Sequence, residues 1–148
     1  MIQVVKIGGN VIDDAAALER FLTKFAALEG PKMLIHGGGK LATRLSAQLG
    51  IETQMIDGRR VTDRATLDVV TMVYAGLVNK QIVARLGALG CKAIGLSGAD
   101  ANVIPAVRRA PNPIDYGYVG DIVTERMNVP FLASLVEQGI VPVFCAIT

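Results

Sequence analysis

Two short apolar runs that each end on a cluster of glycines constrain this chain more than any other feature. Ile2-Gln3-Val4-Val5-Lys6-Ile7 runs into Gly8-Gly9-Asn10, and Lys32-Met33-Leu34-Ile35-His36 runs into Gly37-Gly38-Gly39-Lys40. Apolar runs this short, bounded by glycine, read as buried strands. Between them Leu18, Phe21, Leu22, Phe25 and Leu28 recur at helical spacing, so Asp13 to Leu28 is expected to form an amphipathic helix. Asp13 or Asp14 caps it, and Gly30-Pro31 closes the connection. Strand, helix and strand in this span make a βαβ unit. Its strands are parallel, so both glycine turns fall at the carboxyl edge of a sheet, where ligands of α/β folds bind.

The chemistry of those turns follows from what glycine permits. Without a Cβ, consecutive glycines let the chain turn sharply and let main-chain N–H groups approach a ligand. A helix starting just after each turn adds the positive end of its dipole, and Lys6 adds a cation at the strand end, which together suit a phosphate. An ordinary tight turn with a lysine at its rim would carry the same residues. The second turn, followed by a helix with Leu41, Leu45 and Leu49 on one face and Gly50 at its end, is what favours a ligand site.

Beyond Gly50, residues 51–63 alternate loosely around Asp57-Gly58, a hairpin signal, and Arg59-Arg60 follow it. Guanidinium forks match carboxylate or phosphate, although a solvated surface turn would carry such a pair too. Thr62 is expected to cap a helix marked by Leu67, Val70, Val73, Tyr74 and Leu77. A second helix follows with Ile82, Val83, Leu86 and Leu89, with Gly76 as a bend between the two. This pair is more apolar than a solvated helix requires, so part of it is expected to face a partner subunit. Lys92 to Leu96 is a third sheet strand, and Ser97 to Asn102 a small-residue turn at the same edge. Val103–Val107 and Tyr118–Val123 read as a ribbon with a long, mobile tip. Asn128 then caps a helix through Gln138, and Ile140 to Ile147 is a buried strand. The order predicts an α/β fold, a three-layer αβα sandwich with a mainly parallel sheet.

Composition narrows the function classes. At 148 residues and 51% hydrophobic the chain is expected to be one domain with a substantial core. A net charge of +2, mixed along the chain, argues against a nucleic-acid partner. The longest apolar run, Ile140 to Ile147, is short for a membrane span, and no signal peptide is legible, so a cytoplasmic location is expected. Cys91 and Cys145 fall in or beside buried strands as small core residues, and a single histidine, His36, offers neither a Ser-His-Asp triad nor a metal centre. Neither glycine turn spells a P-loop or a dinucleotide fingerprint.

Taken in order, Lys6-Ile7-Gly8-Gly9, His36-Gly37-Gly38-Gly39, Gly58-Arg59-Arg60-Val61-Thr62, Val78-Asn79-Lys80, Gly95-Leu96-Ser97-Gly98 and Tyr118-Val119-Gly120 form a recognisable set. From residue 1 to 148 the chain resembles the N-terminal half of the acetylglutamate kinases, within the amino acid kinase family. The resemblance implies phosphorylation of the side-chain carboxylate of an N-acyl-L-glutamate by ATP with Mg2+, in arginine biosynthesis, by a homodimer. By that pattern Lys6 is catalytic and, with Gly8 and Gly9, binds the phosphates of ATP. Gly38 and Gly39 hold the acceptor, and Arg60 clasps its α-carboxylate. No protein metal ligand is implied.

Two departures qualify what the resemblance implies. The family's C-terminal half, with its nucleotide pocket and second catalytic lysine, has no counterpart here, so this chain is expected to be an acceptor-binding and dimerisation lobe that is inactive alone. Lys40 also stands where many relatives carry a neutral residue. A non-catalytic acylamino-acid-binding or dimerisation module, or half of a related carboxylate or carbamate kinase, would share the same motifs. The acyl group, acetyl or succinyl, is not legible.

Overall fold

The computed structural model describes all residues from Met1 to Thr148. Its centre is a four-stranded sheet built from β1 (Gln3–Ile7), β2 (Lys32–His36), β5 (Ala93–Leu96) and β8 (Val141–Cys145), in the order β1-β2-β8-β5. Every pairing is parallel, with Ile7 opposite His36, His36 opposite Cys145 and Leu96 opposite Phe144. The middle strands are the apolar ones, and β8 is buried along its whole length because helices cover both of its faces.

The alternation of side chains along the strands splits the core. Ile7, Leu34, Val141 and Val143 face α2 (Ala15–Ala26), α3 (Gly39–Gln48) and the long helix, and meet Leu18, Leu22, Phe25, Ala42, Val69, Val73, Val78, Ile82 and Leu86. Ile35, Leu96 and Phe144 face the other way, toward Phe131, Leu132 and Leu135 of α6 (Val129–Glu137). Helices on both faces make the three layers read from the sequence.

Asp14 is the cap of α2, accepting from the N–H groups of Ala16 and Ala17, and a short extra helix α1 (Gly9–Ile12) precedes it. The other end of α2 is closed by Lys32. Its buried ammonium donates to Ala26 O at 2.7 Å and Leu28 O at 2.6 Å and lies 5.4 Å from the centroid of the Phe25 ring. A buried lysine is stable here because its protons satisfy carbonyls that the helix end leaves without partners.

Three expectations are corrected. Asp63, not Thr62, caps the long helix, accepting from Thr66 N at 2.8 Å. A carboxylate accepts more strongly than a hydroxyl, and the backbone of Thr62 is engaged elsewhere. The two expected helices are one: α4 (Arg64–Thr71), a π-helical stretch (Met72–Val78) and α5 (Asn79–Ala88) run on as a single helix of 25 residues, Arg64–Ala88. Gly76 lies inside the π stretch and does not bend it apart, since each residue there still bonds along the axis. By length and composition alone this helix would be long and apolar enough to cross a membrane, but its buried stripe packs on the sheet. Finally, the ribbon β6 (Ala106–Arg108) and β7 (Gly120–Ile122) is shorter than expected and its tip is tethered. Thr62 N donates to Tyr116 O at 2.9 Å and Tyr118 N to Thr62 O at 2.8 Å. A Cβ at Gly117, where φ is +73°, would run into the Thr62 carbonyl.

Candidate functional site

Because the sheet is parallel, Ile7, His36, Leu96 and Cys145 all end at one edge, and the loops beyond them share it. Between the first two loops opens a cleft of about 530 Å³, lined by Gly8, Gly9, Asn10, Val11, Gly39 and Lys40. That volume suits a small ligand. A Cβ at Gly8 would meet nothing within 4 Å, so the absent side chain leaves room facing the cleft.

The second turn is shaped from beneath by the long helix. The π stretch carries Tyr74 under Gly38, where a Cβ would lie 3.0 and 3.1 Å from two ring carbons, so a side chain there would press on the ring. Burial pushes the Tyr74 hydroxyl above its ordinary value, with Arg60 pulling weakly the other way. Arg60 belongs to the hairpin β3 (Met55–Ile56) and β4 (Arg59–Arg60), which the Asp57-Gly58 turn closes with φ of 49° and 74°. One arm, Nη2, donates to Gly39 O at 2.9 Å and to Thr43 Oγ1 at 2.8 Å. The other arm, Nη1, is buried with no partner. A guanidinium half-anchored on the glycine turn and half-unsatisfied has donor capacity left for an anion such as a carboxylate.

Below the same turn is a buried polar pair. Asn79 Nδ2 donates to His36 Nε2 at 3.0 Å and to Val143 O at 2.9 Å, and His36 Nδ1 meets Gly37 O at 2.8 Å. With Nε2 accepting, Nδ1 carries the proton and the ring is neutral. Burial pushes His36 below its ordinary value, against the contact with Gly37 O. Above about pH 6.5 the ring is neutral folded or unfolded. As pH falls through that value the unfolded chain takes up a proton that the folded chain refuses, so stability falls. One proton gives a slope of up to about 1.4 kcal/mol per pH unit. Urea unfolding midpoints between neutral and mildly acid pH should drop accordingly and His36→Gln should remove the slope. A parent chain whose midpoint does not move over that window would contradict the neutral buried ring.

Of the residues expected from the sequence, Gly8, Gly9 and Gly39 line the cleft; Gly38 precedes Gly39 and rests on Tyr74, and Arg60 is bound to Gly39 O without itself lining the cleft. Lys6 is exposed on the face of β1 opposite Ile7 and makes no hydrogen bond or ion pair, so its ammonium is free to reach past the strand end. The Ser97 turn is held by Asp100, whose Oδ2 accepts from Ser97 N at 2.6 Å and Ser97 Oγ at 2.8 Å. Lys80 Nζ donates to Gly95 O at 3.1 Å, and a Cβ at Gly95 would overlap Asn79 Oδ1.

Tyr74, Asn79 and Asn10 are the residues whose part the sequence reading missed, and of Lys40 it marked the added charge but not the contact. A signal exists for Asn79, an amide in the buried stripe of an apolar helix, which must find a partner. None exists for the Lys40 to Asn10 contact, 2.7 Å across the cleft, because it depends on how the two loops face each other.

A profile of the family described as "Amino acid kinase family" matches residues 1–148. The chain belongs to the amino acid kinase family. Among curated members, it is 56% identical to an acetylglutamate kinase of Phocaeicola vulgatus and 53% identical to one of Parabacteroides distasonis, each over 98% of this chain. A more distant acetylglutamate kinase, of Methanopyrus kandleri, is 41% identical over 95% of it. The chain spans 56% of the length of the first two. As a fold, this family member superposes on N-acetylglutamate synthase of Neisseria gonorrhoeae, complexed with coenzyme A and N-acetyl-glutamate. The TM-score is 0.78 at 22% identity, over 97% of this chain and 33% of that one.

Proposed function

We propose that this chain is the acceptor-binding and dimerisation lobe of a kinase that phosphorylates the side-chain carboxylate of an N-acyl-L-glutamate with ATP, in arginine biosynthesis in the cytoplasm. The observation that carries this reading is the buried, partnerless Nη1 of Arg60 beside the Gly38-Gly39 turn, facing the same edge as the Gly8-Gly9 turn. Relatives named acetylglutamate kinase, more than half identical over 98% of this chain, support the ligand class.

In this reading the α-carboxylate of the acceptor completes the hydrogen bonding of Arg60, and Gly38 and Gly39 let it lie against the backbone. The side-chain carboxylate is then directed toward the cleft. A carboxylate is already ionised at neutral pH and needs no general base. What opposes reaction is the approach of one anion to another, which Lys6 and the N–H groups of Gly8 and Gly9 offset by fixed positive charge. In this reading Mg2+ comes with the phosphates of ATP, bridging their oxygens. Groups for adenine and ribose belong, in this reading, to the length of the relatives that this chain does not span, and 148 residues alone should not turn over.

The test is trapping of the acyl phosphate as a hydroxamate, using a protein of the relatives' length with MgATP and either N-acetyl- or N-succinyl-L-glutamate. Product from one of these, and none from free glutamate, is the expected result. No product from either refutes the substrate class.

The same reading makes the outer face of the long helix a two-fold contact. Met72 and Leu77 are 54% and 45% exposed there, an apolar surface that a second copy would cover. Sedimentation should show a dimer at roughly tens of micromolar, an ordinary range for specific homodimers. A monomer throughout that range, or a dimer unaffected by Leu77→Glu, would contradict it.

A further inference from the structure

The first turn and the start of α3 are tied across the cleft by two contacts of different kinds. Arg44 pairs with Asp13 at 3.3 Å, an ion pair in which each charge offsets the other. Lys40 Nζ instead donates to Asn10 Oδ1 at 2.7 Å, and has no carboxylate partner. A neutral amide oxygen holds an ammonium in place without cancelling its charge. Both Lys40 and Asn10 line the cleft itself, beside Gly8, Gly9 and Gly39. The other ionic groups near it are Arg60, whose Nη2 is held on Gly39 O, and Asp13, whose Oδ1 pairs with Arg44, while Lys6, two residues before Gly8, is unpaired.

We propose that Lys40 is a second cation of the phosphoryl-transfer cleft. It rests on Asn10 Oδ1 and turns to the anionic oxygens of a phosphate chain when one enters. Exchange of a neutral acceptor for a charged one strengthens the hydrogen bond, so the entering anion itself drives the movement. Because the Arg44 to Asp13 pair already joins the two elements, the resting contact is not required to hold them together. The inference rests on reading this cleft as the phosphate site.

The test is titration of the 148-residue chain with inorganic tripolyphosphate at matched ionic strength, followed by calorimetry or phosphorus NMR. Lys40→Gln keeps a donor for Asn10 but loses the charge, and should weaken binding by about tenfold to a hundredfold. Lys40→Arg should restore affinity to within a fewfold of the parent. The gap between parent and Lys40→Gln should narrow as salt is raised, because the cleft is open to solvent. Parent-like binding by Lys40→Gln overturns the proposal, and so do equal losses in Lys40→Gln and Lys40→Arg, since charge would then not be the operative property. Lys6→Met separates the two levels of the account. A loss in Lys6→Met with parent-like Lys40→Gln sinks only the role of Lys40, whereas parent-like binding in both removes the phosphate reading of the cleft as well.

Discussion

Replacing Lys6 with methionine in a protein of the relatives' length is expected to lower kcat by about 10²–10³ while leaving acceptor affinity within a fewfold. The expectation comes from position. Lys6 is the penultimate residue of β1, just before Ile7 gives way to the Gly8-Gly9 turn, is exposed, and has no partner to neutralise it. Holding an unpaired ammonium there costs the fold little in water, and in the proposed reaction it would act when charge develops on a transferring phosphoryl group. Methionine keeps most of the length of the stem and removes the charge. An interaction made only in the transition state shows in kcat and kcat/KM equally, with KM little changed. A kcat close to that of the parent would remove Lys6 from the chemistry, and a rise in KM alone would make it a binding group.

Asn79→Leu is expected to destabilise the fold by about 2–6 kcal/mol, since buried groups left without a hydrogen bond cost about 1–3 kcal/mol each and two are left here. Asn79 is 1% exposed and its Nδ2 serves both His36 Nε2 and Val143 O, so leucine leaves two buried acceptors unsatisfied. The imidazole then has no donor on Nε2 and Gly37 loses the orientation of its neighbour, so the second glycine turn should loosen with the core. Urea unfolding, with an unchanged m-value to confirm an intact native state, measures the loss. A change below about 1 kcal/mol would show that water or His36 itself can take over the role of the amide.

Both effects come from residues whose elements are legible in the sequence and whose contacts are not. The parallel strands, α2, α3, the Asp57-Gly58 hairpin and α6 with its Asn128 cap follow from local patterns, and each is present. Gly8, Gly9, Gly38 and Arg60 are legible as a set, the glycines because a parallel sheet forces strand ends to one edge whatever the details of packing, and Arg60 through its place in the family pattern. What is not legible depends on tertiary fit. A π stretch inside Arg64–Ala88 has no strong sequence signature, yet it aims Tyr74 at Gly38. The closing of α2 by Lys32 is hidden because its partners, Ala26 O and Leu28 O, are main-chain atoms that any sequence would supply. The tethering of the ribbon tip to Thr62 is hidden for the same reason.

Titration of the 148-residue chain with N-acetyl-L-glutamate, beside its Arg60→Ala variant, distinguishes an acceptor site from an ordinary glycine turn. The unpartnered Nη1 of Arg60 and the Gly38-Gly39 turn both lie within these 148 residues. The parent chain should therefore bind N-acetyl-L-glutamate, and Arg60→Ala should bind it about tenfold to a hundredfold more weakly, the worth of a charge-assisted pair. No binding by the parent chain, or equal binding by the two, would contradict the assignment of this edge as an acceptor site.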